Sequence, residues 1–124
     1  PLSEHSRHTL EEAIALAAGR DADLTILHVN LYQDSRKVTR TDLKRAVQRA
    51  FGIVPRARYV VRRGFLVEQT ILDEVAAEGA DVVVIGRKQV SRWRRTLRKL
   101  VDDPDVESFL REQLDCEVVT VDSV

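Results

Sequence analysis

The run Asp81-Val82-Val83-Val84-Ile85-Gly86 constrains the fold more than any other stretch of this chain. It is apolar at every interior position, rich in β-branched residues and of strand length. A strand with apolar side chains on both faces needs cover on both faces, as in a parallel sheet flanked by helices. Leu24 to Val29 is a second apolar run of similar length, closing on Asn30. Arg58 to Arg63, with Tyr59, Val60 and Val61 between arginines, reads as a strand near a sheet edge, and Glu117 to Val121 as a last strand.

The segments between these runs carry helical spacing. Ser3 is placed to cap a helix whose stripe is Leu10, Ala13, Ile14 and Ala17, ended by Gly19. Residues 31–37 are polar and basic, a loop. Leu43, Val47, Ala50 and Phe51 form a second stripe, stopped by Gly52 and Pro55. Val67, Ile71, Leu72, Val75 and Ala76 form a third, ended by Gly79. A helix is predicted from about Trp93 to Val101, then an acidic break at Asp102, Asp103, Pro104 and Asp105, then a last helix on Val106, Phe109, Leu110 and Leu114. Strict alternation of helix and strand predicts right-handed βαβ units and a parallel sheet. The 124 residues form one domain, 1–124, with no internal repeat or linker.

Charge and cysteine content narrow the function classes. Twenty basic and twenty acidic residues cancel, so any attraction to a polyanion must come from a local cluster. No apolar run approaches the roughly 20 residues that span a bilayer, and the chain does not open with a basic-then-apolar leader. A single cysteine, Cys116, leaves no internal disulfide and no multi-cysteine metal site, and fits a cytoplasmic protein.

Candidate chemistry is sparse. His5 and His8 are three apart on one helix with no third ligand nearby, so no metal site is expected. His28 reads as a packed strand histidine. No serine stands in a glycine-flanked elbow, and Cys116 opens an apolar strand as a buried thiol would. The most unusual stretch is GRKQVSRWRRTLRKL, residues 86–100, which holds seven cations and no acid. Its apolar residues Val90, Trp93, Leu97, Leu100 and Val101 fall at helical spacing, leaving the cations outward. With Asp102, Asp103, Asp105 and Glu107 just downstream, a solvated helix face is the expected reading. Contact with nucleic acid through this helix (87–99) is the lower alternative, and nucleic acid is not an expected partner.

Several stretches resemble the universal stress protein family, within the adenine-nucleotide-hydrolase-like group. SEHSRHTLEEAIALA is similar to that family's first helix and DADLTILHVN to its second strand. VVRRGFLVEQTILDEVAAEGADVVVIGRK is similar to its third strand, third helix and fourth strand, and LDCEVVTV to its closing strand. The resemblance implies a three-layer α/β sandwich with a parallel sheet of order 3-2-1-4-5. It implies that the first of those strands precedes Pro1 and lies outside this chain. ATP-binding members carry, after the fourth strand, Gly-x-x-Gly, nine residues, then Gly-Ser or Gly-Thr. Here Gly86 stands as the first glycine, Gln89 replaces the second, and Pro104 and Asp105 fall on the last two positions. A proline lacks the N–H that a phosphate would accept from, and an aspartate repels it.

The resemblance implies a ligand crevice at the carboxyl ends of the strands, with Val29, Asn30, Gly86, Arg87 and Lys88 as candidate nucleotide-contacting residues. No acid–base pair or activated nucleophile stands out there, so no enzyme is expected. The expected function is a non-catalytic stress-response or regulatory domain with no cofactor, acting through homodimerisation and partner contact. The alternative is an ATP- or AMP-binding stress protein with a non-standard phosphate site, in which Arg87 and Lys88 neutralise the phosphates. The dimer interface is expected on Val118, Val119, Thr120 and Val121, an edge without lysine or proline to blunt it.

Overall fold

A computed structural model of the chain describes residues 2–97 and 106–122. Its elements, in order, are α1 (Glu4–Gly19), β1 (Leu24–Leu31), α2 (Arg40–Phe51), β2 (Ala57–Gly64), α3 (Val67–Glu78), β3 (Val82–Gly86), α4 (Arg87–Leu97), α5 (Val106–Leu114) and β4 (Glu117–Val121). The chain has the mixed α/β architecture with parallel strands that the alternating pattern predicts.

Local chemistry sets the element ends. The Ser6 amide donates to Ser3 Oγ at 3.2 Å, the expected cap of α1. That helix ends at Gly19, but the left-handed residue of the turn is Asp21, with φ 49°. Aspartate is among the few residues that tolerate this region. Thr39 and Asp42 close a reciprocal capping box on α2: the Asp42 amide donates to Thr39 Oγ1 at 3.1 Å and the Thr39 amide to Asp42 Oδ2 at 3.0 Å. Gly79 supplies the left-handed turn after α3, with φ 62°. One expectation is corrected: α4 starts at Arg87, not near Trp93, because no glycine or proline interrupts residues 87–92. The segment 98–105, with the acidic break and the Pro104 and Asp105 positions, lies outside the described residues.

The strands form two parallel pairs. β1 pairs with β2 from Leu24↔Ala57 to Leu31↔Gly64, and β3 with β4 from Val82↔Glu117 to Gly86↔Val121. Among the described residues no ladder joins β1 to β3. Each observed pair is one that the order 3-2-1-4-5 sets side by side. α1 packs on both β1 and β3 and so spans the two pairs.

Two hydrophobic cores follow from this layout. On one side Ile26 and Tyr59 pack with Leu43 and Val47 of α2, joined by Leu10 of α1. On the other, Val83, Ile85 and Val118 pack with Val90, Trp93 and Leu110, joined by Ile71, Leu72 and Val75 of α3. Val90 and Trp93 are each 2% exposed, so the described part of the basic helix's apolar stripe faces inward as its spacing predicts; Leu100 and Val101 lie outside the described residues. Ion pairs tie the layers at their rims. Arg62 Nε meets Glu74 Oε1 at 2.7 Å, fixing α3 to β2, and Arg20 Nη1 meets Glu117 Oε2 at 3.0 Å, fixing α1 to β4.

Two of these carboxylates titrate below their ordinary range. The Thr39 amide and hydroxyl hold Asp42 down, and the hydrogen bond and charge of Arg20 hold Glu117 down. A carboxyl with a lowered native pKa stabilises the fold fully above its unfolded pKa, and that share is lost as pH falls through the native value. Comparing the wild type with Asp42→Asn by urea unfolding should show a stability gap at neutral pH. The gap should narrow as pH drops below about 4. A gap of constant size down to the acid limit would contradict the capping role of the charge.

Candidate functional site

The carboxyl end of β1 is organised by one buried amide. Asn30, 6% exposed, donates from Nδ2 to the Val38 carbonyl at 2.8 Å, and its Oδ1 accepts the Val38 amide at 3.0 Å. A strand ending on a buried asparagine is thus clamped to the residue that leads into α2, eight positions on. The same Oδ1 lies 3.2 Å from His28 Nε2. Lys37 reinforces the turn by donating to the carbonyls of Leu31, Tyr32 and Asp34. The loop so held walls a cavity of about 400 Å³, lined by His28, Val29, Asn30, Asp34, Ser35, Arg36 and Val38. Its volume suits a small ligand, since such sites run to roughly 300–1,000 Å³.

The sequence-predicted crevice residues therefore divide. Val29 and Asn30 line the cavity, but Asn30 has its oxygen and amide committed to Val38 and His28. Gly86, Arg87 and Lys88 are not in the cavity's lining. Gly86 ends β3 directly beneath α1, where a Cβ would come within 2.8 Å of Thr9 Oγ1. Glycine at this position leaves room for the Thr9 hydroxyl. Arg87 opens α4 and turns toward the end of β4, its Nε 2.8 Å from Asp122 Oδ1. Lys88 is exposed. Gln89 falls in the first turn of α4, with a buried Nε2 that finds no described partner.

The matching family model, that of the universal stress protein family, spans residues 2–121. The chain belongs to the universal stress protein family. It is a stress-response protein of universal-stress type. A search of curated proteins finds no match.

Within this universal stress protein, β4 pairs along one edge, with β3, and among the described residues no strand pairs with its other edge. The Glu117 amide donates to the Asp81 carbonyl at 3.1 Å, which directs the backbone of 117, 119 and 121 toward β3. Val118 and Thr120 thus present their amides and carbonyls on the outer edge. Val118 and Val121 are buried, whereas Val119 and Thr120 are half-buried. Burial, with Asp115 and Asp81 adding to it, pushes the Cys116 thiol up, away from the reactive thiolate. No group of three metal-ligating side chains comes together among the described residues, and no described helix is long and apolar enough to cross a membrane.

Sequence reasoning missed two features of this end of the molecule. The Asn30–Val38 clamp left no periodic signal, because a polar residue after an apolar run reads as the start of a loop. Tyr32 and Phe65 meet at the ends of β1 and β2 with ring centroids 4.7 Å apart, a contact that only the parallel register creates.

The seat of α1 on Gly86 makes a direct prediction. Gly86→Ala should cost about 1–3 kcal/mol of stability through overpacking. Adding Thr9→Ala, which removes the clashing hydroxyl, should recover most of that loss in chemical denaturation. Equal destabilisation with and without Thr9 would contradict the close approach.

Proposed function

We propose that this universal stress protein is a non-catalytic regulatory domain that works as a homodimer and through partner contact, without a site for a nucleotide triphosphate. The observation that carries this reading is the start of α4. Where phosphate-binding members of the resembling pattern have a glycine loop, this chain enters a helix directly after Gly86. Gln89 lies in its first turn and Arg87 is spent on Asp122. The Pro104 and Asp105 substitutions point the same way. Support for a non-catalytic role comes from the cavity, where no hydrogen bond among the described residues links Ser35 to a base and His28 faces an amide rather than a carboxylate. A cytoplasmic location goes with this reading.

A second reading keeps the nucleotide. The cavity at the end of β1 supports it, since it could take a nucleoside-sized group even where the phosphate end is unbuilt. AMP would then be a better ligand than ATP, with Lys88 the one cation of the Arg87–Lys88 pair not drawn to Asp122.

The dimer supplies the test. Pairing across the outer edge of β4 needs the Thr120 amide, while the Val119 amide belongs to the β3 ladder. Thr120→Pro should therefore yield a folded monomer in sedimentation at tens of micromolar, where the wild type sediments as a dimer. Val119→Pro should instead destabilise the fold itself. A monomeric wild type, or a dimer indifferent to Thr120→Pro, would sink the edge-pairing reading.

A further inference from the structure

Zero net charge conceals a strong segregation. Residues 36–63 contain ten of the chain's twenty basic residues and a single acidic one, Asp42. All ten basic side chains are exposed. Three of them are neutralised by acids of α3 and of the α1–β1 turn: Arg58 by Glu78, Arg62 by Glu74, and Arg56 by Asp21 and Asp23. Lys37 is engaged by carbonyls. The other six are Arg36, Arg40, Lys44, Arg45, Arg49 and Arg63, of which Arg45 and Arg36 feel the charge of Asp42. Leu43 and Val47 turn α2 inward onto Tyr59, so Arg45 and Arg49 point out from its opposite face. Arg40 reaches the β2 edge, where its Nε donates to the Tyr59 carbonyl at 3.1 Å. Arg63 follows Tyr59 and Val61 at the strand's two-residue period, on the face that carries α2. Asp42 is the sole acid of the segment; it caps α2 and offsets Arg45 and Arg36 only in part, leaving the segment strongly cationic.

The same end of β1 and β2 exposes aromatic surface. Tyr32 is 53% and Phe65 74% exposed, tilted against each other, and Leu66 beside them is 56% exposed. Gln33 Nε2 donates to the Phe65 carbonyl at 3.2 Å and holds the two turns together. Neither ring belongs to either core.

We propose that this face, formed by α2, its lead-in and the end of β2, binds single-stranded nucleic acid. Its cations contact backbone phosphates, and Tyr32 and Phe65 offer a stacking platform for unpaired bases. Cations alone would serve any polyanion, but exposed rings reach bases only where these are unpaired. An anionic membrane is the poorer fit, because the exposed apolar side chains do not line one helix face: Tyr32, Phe65 and Leu66 stand past the ends of β1 and β2, and Ile53 stands apart, between α2 and the start of β2. The face is separate from the basic run on α4.

Fluorescence anisotropy of the whole chain with labelled oligothymidine of about 15 nucleotides, within the span such grooves cover, tests the proposal. Affinity should fall steeply with salt. The Lys44→Ala/Arg45→Ala/Arg49→Ala variant should reduce the log–log salt slope by about 2, at roughly 0.7 per phosphate contact. Phe65→Ala should weaken the single strand roughly five- to a hundredfold and leave a blunt duplex of equal length unaffected. Arg94→Ala/Arg95→Ala, on α4, should change neither value. All substituted side chains are exposed, and unchanged thermal melts confirm folding. Absence of binding at low salt would overturn the proposal. So would loss of binding in the α4 variant instead, or phosphatidylserine vesicles or duplex bound as tightly as the single strand with Phe65→Ala silent.

Discussion

The contact between α1 and the end of β3 is the constraint on which the rest of this molecule depends. With no ladder joining β1 to β3 among the described residues, helices hold the two strand pairs together: α1 packs on β1 and β3, and α3 packs on β1 and β2 while joining the β3–β4 core. At the β3 end of the α1 contact, Gly86 leaves room for the Thr9 hydroxyl. The Arg20–Glu117 pair pins the other end of the helix to the start of β4. Exposed pairs of this kind add little energy by themselves. The apolar packing of α1 supplies the affinity, and the pair sets its orientation.

From that seat follows the layout at the carboxyl ends of the strands. β1 ends in an amide clamp that shapes a cavity, and β3 ends in a glycine that passes straight into a helix. The first arrangement borders an open hollow, while the second sets Arg87 and Gln89 in the opening turn of a helix. Arg87 is drawn to Asp122, and Gln89 is buried in the opening turn. A domain built this way keeps its family's fold. The cations not used at that end are concentrated instead along α2 and β2.

Much of the fold was legible because periodicity is a strong signal. The valine run of β3, the stripes of α1 and α2, and the inward face of Trp93 lie where their spacing puts them; in α3, Ile71, Leu72 and Val75 pack inward, but Ala76 is exposed and Glu74, held by Arg62, is the buried residue. The start of α4 was not legible from the stripe alone, because the resemblance points to a loop there and only the lack of a breaker at 87–92 argues otherwise. β1 runs two residues past its apolar core since Asn30 is satisfied by Val38, a partner that spacing does not reveal. The candidate site was half legible. Val29 and Asn30 border the cavity, yet nothing in the chain announces that Asp34, Ser35 and Arg36 line its open side. The cationic face escaped notice because net charge averages over the surface. Which arginines are neutralised depends on the packing of α3 against β2, where Glu74 and Glu78 lie.

The state of the phosphate end is most directly read from the backbone amides around it. An amide-resolved magnetic resonance titration with magnesium and ATP, followed in parallel with AMP, reports on Gly86 to Val90 and on His28 to Val38 separately. The expected result is no saturable shift at Gly86, Arg87, Lys88 or Gln89 below high micromolar ATP, with any AMP response confined to residues around the β1 cavity. Saturation of the Gly86–Gln89 amides at low micromolar ATP would contradict it and establish a working phosphate site at the start of α4.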